Sequence, residues 1–145
     1  MFPRWHIILG AIFTAVIWLV APQINFSYLV LIFLSSVLID LDHYICAVKN
    51  TKKLSLKNAI THCEKLFLNQ KKEISKGIRR KFPEFHFFHT IEFHILLGLL
   101  SVFWIGLFYI FIGMVFHSLL DIFSMIRDNT FHSREFFFFN WLRKP

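Results

Sequence analysis

Acid is scarce in this sequence, and long stretches carry no charge at all. Nine Asp and Glu stand against sixteen Lys and Arg, for a net charge of +7. No residue from Phe26 to Ile39, or from Ile95 to Phe116, is charged. At 56% hydrophobic residues with 20 Phe, and a mean hydropathy of +0.56, the composition is not that of a water-soluble domain. Runs of this length can cross a bilayer, so the chain reads as one integral membrane domain spanning 1–145. Cysteine is nearly absent as well. Cys46 and Cys63 form no C-x-x-C pair and, on a cationic and therefore cytoplasmic side, are expected as free thiols. There is no G-x-S-x-G, so Ser118 beside His117 does not make a serine-hydrolase elbow.

The positive charge is concentrated. Eleven of the sixteen Lys and Arg fall between Lys49 and Lys81, against only Glu64 and Glu73. The positive-inside rule makes the basic segment 49–88 cytoplasmic. Within it Leu56, Ala59, Ile60, Cys63, Phe67, Ile74 and Ile78 recur at helical spacing with lysines opposite, the pattern of an amphipathic helix on a surface of anionic lipid head groups. His62 lies off that stripe and reads as solvated. No nucleic-acid-binding motif accompanies the charge.

Four apolar helices are expected around this segment, at about 5–21, 27–48, 90–104 and 108–126. The first follows a basic start, and Leu19-Val20-Ala21 lacks the small residue expected at the first of those positions in a signal-peptide cleavage site, so the run is expected to remain as a helix. Pro22 to Asn25 is a turn signal. Pro83 is expected to end the amphipathic helix, and Thr90 to cap the next, with Glu92 in its first turn. Ile95 to Phe116 is long enough for one span, but that would leave His94 and His117 about 35 Å apart and the basic tail outside. A reversal around Ile105-Gly106-Leu107 instead keeps every Lys and Arg, and both termini, cytoplasmic. The expected fold is therefore an all-α multi-pass protein of two membrane hairpins plus a cytoplasmic amphipathic helix. The tail 127–145, with Arg134, Arg143, Lys144, Trp141 and Phe136 to Phe139, reads as an interfacial anchor.

In that arrangement the notable polar groups fall at one level. His6 opens the first helix; Asp40, Asp42 and His43 close the second. His89 and His94 open the third, and His117 and Asp121, one turn apart, close the fourth. Ionisable groups at membrane depth are costly and are functional by default. Carboxylates mixed with imidazoles suit zinc, iron or manganese better than calcium or magnesium. The plain alternative is a hydrogen-bonded network joining helix ends. His86 and His132 read as surface groups.

These blocks resemble the LexA-binding, inner-membrane-associated hydrolases, also described as membrane-bound metal-dependent hydrolases, whose pattern is an early His, P-D-x-D-H, H-R-G-x-T-H-S and S-H-x-x-x-D. His6 matches the first block, Asp40, Asp42 and His43 the second, His89 and His94 the third, and His117 and Asp121 the last. The sequence departs from it at Ile39 in place of Pro, at Phe116 in place of Ser, and at Thr90-Ile91-Glu92-Phe93 in place of R-G-x-T, so the Arg that would clamp a phosphate is missing. The resemblance implies a divalent-metal site on Asp40, His43, His89, His94, His117, Asp121 and His6, and a hydrolase of an amphiphilic or phosphate-containing substrate at the cytoplasmic membrane. Asp42 or Glu92 is then the expected general base. A non-catalytic membrane protein using the cluster as a structural metal or ion-transport site is the other reading.

Overall fold

The computed structural model describes residues 3–78 and 85–143. Pro83, expected to break a helix, lies outside them. All regular structure among the described residues is helical. α1 (Pro3–Val20) and α2 (Phe26–Leu38) form the first hairpin; α3 (Leu41–Thr51) and α4 (Leu56–Ser75) pack on each other in the basic segment. α5 (Ile91–Leu100) and α6 (Ile105–Arg127) form the second hairpin, and a short α7 (Phe138–Leu142) closes the chain. The runs Phe26–Thr51 and Ile105–Arg127 are long and apolar enough to cross a membrane, while α1 and α5 are shorter apolar helices.

Local chemistry explains the boundaries. Asn25 caps α2 by accepting a 2.9 Å hydrogen bond from the Ser27 amide, and Thr90 caps α5 by accepting one from Phe93, as expected. Lys52, in the left-handed region at φ 58°, turns the chain out of α3. The Tyr44 hydroxyl then ties that corner by donating to the Leu54 carbonyl at 2.6 Å. The reversal between α5 and α6 occupies residues 101–104, slightly ahead of the expected Ile105-Gly106-Leu107. Gly106 is inside α6, where a Cβ would collide with the Trp104 ring that folds over it.

The expected single helix over 27–48 is a correction. The chain breaks at Ile39–Asp40, and Asp40 becomes the residue before α3 with φ −70° and ψ 3°. In an unbroken helix Asp42 would lie about 200° round from Asp40; at the break both carboxylates reach His89, Asp40 at Nε2 and Asp42 at Nδ1.

α2 and α6 make the largest helix–helix interface. They approach closely because position 113 is glycine: a Cβ there would strike the backbone carbonyl of Ile32. The apolar core is small, with Ile39, Leu97 and Met114 at its centre. Among the described residues, buried polar ones outnumber buried apolar ones eleven to seven, which reverses the arrangement of a soluble domain.

Candidate metal centre

Three parts of the chain converge on one centre. Asp40 stands at the α2–α3 break and His89 in the 3-10 turn Phe87–His89 that precedes α5. His117 and Asp121 lie one turn apart on α6, where both are buried. One ligand atom from each of these four residues lies within 4.8 Å of all the others. His89 Nε2 is 3.4 Å from His117 Nε2. Asp40 Oδ1 is 3.4 Å from His117 Nε2 and 3.6 Å from His89 Nε2. Asp121 Oδ2 is 3.8 Å from both imidazoles.

The outer hydrogen bonds fix which nitrogens face inward. His117 Nδ1 donates to the Ser36 carbonyl at 2.8 Å, and a carbonyl only accepts, so Nε2 presents a lone pair to the centre. His89 Nδ1 donates to Asp42 Oδ2 at 3.1 Å, and that oxygen also accepts from the Phe88 amide at 3.1 Å. His89 Nε2 therefore faces inward too. Two imidazole lone pairs and two carboxylates converge on one point, an arrangement that repels itself unless a cation stands between them. Four donors about 2.0–2.1 Å from a tetrahedral ion would lie roughly 3.3–3.4 Å apart, close to the spacings found. These buried residues can hold a metal ion, and the carboxylate behind a ligating imidazole is the usual outer support.

A proton competes for the same place. Burial and the nearby Arg134 guanidinium push His89 down, yet hydrogen bonds to Asp40 and Asp42 outweigh them and hold its pKa above the ordinary value.

The other expected residues occupy distinct stations. His6 is buried; its ring stacks on His117 at 3.9 Å between centroids, and its Nε2 lies 3.3 Å from Asp121 Oδ1. It supports Asp121 from behind and is not one of the four converging donors. Asp42, an expected base, instead holds His89. His43 stands one step away, with Nε2 3.7 Å from Asp40 Oδ1. His94 is turned aside. Its Nδ1 donates to the Thr90 carbonyl at 2.8 Å and its Nε2 meets the Ser118 hydroxyl at 3.0 Å. Glu92, the other expected base, accepts hydrogen bonds from the Phe138 and Phe139 amides and so caps α7. Neither His94 nor Glu92 belongs to the cluster.

One expectation is corrected by burial. His86 is not a surface group: it is buried with its ring 3.8 Å from that of His43, and burial lowers its pKa to about 4. The tail, expected as an interfacial anchor, also packs against the helices. Phe85 stacks on Trp141 at 4.4 Å, the Phe136 carbonyl accepts from the Ile91 amide, and Arg134 reaches Asp121 Oδ2 at 2.9 Å. The cationic group that the sequence lacked near His89 thus comes from the tail. Its only signal in the sequence was a single Arg inside an aromatic stretch.

A groove of about 1130 Å³ opens beside the cluster, with Asp40, Asp121 and His43 on one wall and Ala59, Ile60 and Phe67 of α4 on another. Lys71, Arg127 and Arg134 also line it. No family model, curated protein or solved structure matches this chain.

Proposed function

We propose that this protein is a membrane-embedded, metal-dependent hydrolase acting on an amphiphilic, phosphate-bearing substrate at the cytoplasmic membrane face, akin to the inner-membrane hydrolases its motifs resemble. The observation that carries the reading is the convergence of two inward imidazole lone pairs and two carboxylates, from Asp40, His89, His117 and Asp121, within 4.8 Å. A divalent transition metal bound there supplies Lewis acidity and makes a water more acidic. The chain's own residues do the rest. Asp42, His6 and the Ser36 carbonyl orient the donors, Arg134 presents a guanidinium suited to an anionic oxygen, and the α4 wall of the groove receives an apolar chain.

Membrane residence is supported by the inverted interior and by the hairpin tips, where Leu19, Val20, Val102 and Phe103 are each more than three-quarters exposed. His6 to Val20 and Ile105 to Asp121 each run roughly 20–25 Å at 1.5 Å per residue, so the two hairpins reach a similar depth from a common polar end. α5 is too short to cross alone, and we place the α5–α6 pair as a hairpin returning to the cytoplasmic side, in a four-helix arrangement with α1–α2.

Purified protein assayed for metal and for turnover of lipid and phosphoester substrates tests the reading. Wild type is expected to carry tightly bound transition metal that Asp40→Ala and His117→Ala each remove, with hydrolysis lost in parallel. Folded, stable protein that binds no metal would overturn it. Bound metal with no hydrolysis across the panel would favour a structural or transport site.

A further inference from the structure

Beside the four-donor cluster lies a second group, of which the proposed reaction uses only Asp42, as the support of His89. Asp42, His43 and His86 each offer a ligand atom within 4.8 Å of the other two. Asp42 lies in the first turn of α3, His43 follows it, and His86 comes from the segment just before the 3-10 turn, so two separate parts of the chain meet here. The rings of His43 and His86 are 3.8 Å apart.

One atom calls for an explanation. Asp42 Oδ2 is engaged by His89 and the Phe88 amide, but Oδ1 is buried without a hydrogen-bond partner. The Asp42 side chain is only 8% exposed. A buried carboxylate oxygen is normally matched by a donor or a cation, and the nearest groups able to help it are two imidazoles, the commonest side-chain ligands for transition metals.

We infer that Asp42, His43 and His86 form a second divalent transition-metal site, which together with Asp40, His89, His117 and Asp121 makes a two-ion centre. The inference rests on reading the four-donor cluster as a metal site and adds a partner to it. Asp40 is placed to bridge the two: its Oδ1 is 3.7 Å from His43 Nε2 and 3.4 Å from His117 Nε2. Asp42 links them as well, through the oxygen it gives to His89.

The two sites differ in openness. Four protein donors close the first, and His117 is fully buried. Three donors leave the second with an open position, the mark of catalytic rather than structural sites. It faces the groove, since His43 and His86 line that cavity and the His43 side chain is 29% exposed. An exchangeable oxygen ligand, from water or from a substrate phosphate, therefore has readier access to the second site than to the first.

The test counts ions. Full-length protein in detergent is loaded with Mn²⁺, desalted, and measured by elemental analysis and by electron paramagnetic resonance. Wild type is expected to hold two ions per chain with the signature of magnetic coupling. His86→Gln and His43→Gln are each expected to hold one uncoupled ion while keeping the wild-type helical circular dichroism. Wild type holding one ion, with both variants also holding one, would overturn the second site and leave the first intact. Wild type holding none would overturn both. If a variant fails to fold, the wild-type count and coupling decide the matter alone.

Discussion

Asp42 places one oxygen on His89 and leaves the other buried, so a change of a single atom there is informative. Asp42→Asn removes the negative charge behind His89 while keeping one acceptor oxygen, and outer-shell changes of this kind typically cost about 10–100-fold in metal affinity. That loss is expected in chelator competition with little change in fold. Arg134 is a different case, because it touches Asp121 without offering a ligand. Arg134→Ala should keep the metal yet lower kcat/KM for anionic substrates by roughly tenfold to a hundredfold, the loss of one charge-assisted hydrogen bond worth about 1.5–3 kcal/mol; an unchanged value would remove it from substrate binding. These two residues also mark where sequence reasoning stops. Asp40, His117 and Asp121 were legible because each interrupts or ends an apolar run, where a charge needs a reason. Arg134 sits in a tail where basic residues are ordinary, and only folding brings it 13 positions back onto Asp121. His86 lies among Phe and His with no periodicity to mark its buried side.

Helix contacts set the positions of these side chains. Gly113 lets α6 sit directly on the Ile32 carbonyl of α2, one turn before His117. Gly113→Ala forces the helices apart, since the obstacle is backbone and cannot rotate away. Overpacking of this kind costs typically 1–3 kcal/mol, and thermal melts should show it together with weakened metal retention. A second tie joins α4 to the end of α6, where Lys71 Nζ meets Asp128 Oδ1 at 3.0 Å. Burial pushes Asp128 up, but hydrogen bonds from Lys71 and Arg127 outweigh it and hold its carboxyl below the usual range. A depressed folded pKa stabilises above the unfolded value and is lost as pH falls through the folded one. Wild type should therefore melt above Asp128→Asn at neutral pH, with the gap closing as pH drops below about 4. The reversal between α5 and α6 could be read from the sequence because the distribution of charge demanded it. The break at Ile39–Asp40 was harder to place, because neither Pro nor Gly marks it and only the arrival of Asp40, Asp42 and His43 at the end of the apolar run points to it.

At the scale of the whole molecule, topology is the sharpest check on the membrane reading. Reporter fusions in the α3–α4 loop and after α7 are expected to report the cytoplasm, and an external signal after α7 would separate α5 and α6 by a bilayer. The hairpins themselves are related by exchange. Each opens with a histidine and closes with an aspartate, and each histidine meets the aspartate of the other: His6 lies 3.3 Å from Asp121, and His89 3.6 Å from Asp40. Neither half holds a full donor set. On the proposed reading, a bound ion would act as a clasp, completed only when the two hairpins dock and then resisting their separation. Cutting the chain between α4 and the 3-10 turn should give fragments that bind no ion apart, yet co-purify when expressed together with metal and come apart when a chelator takes it away. Assembly of the bundle and loading of the ion would then be one event, with metal supply setting how much of the protein reaches its final form.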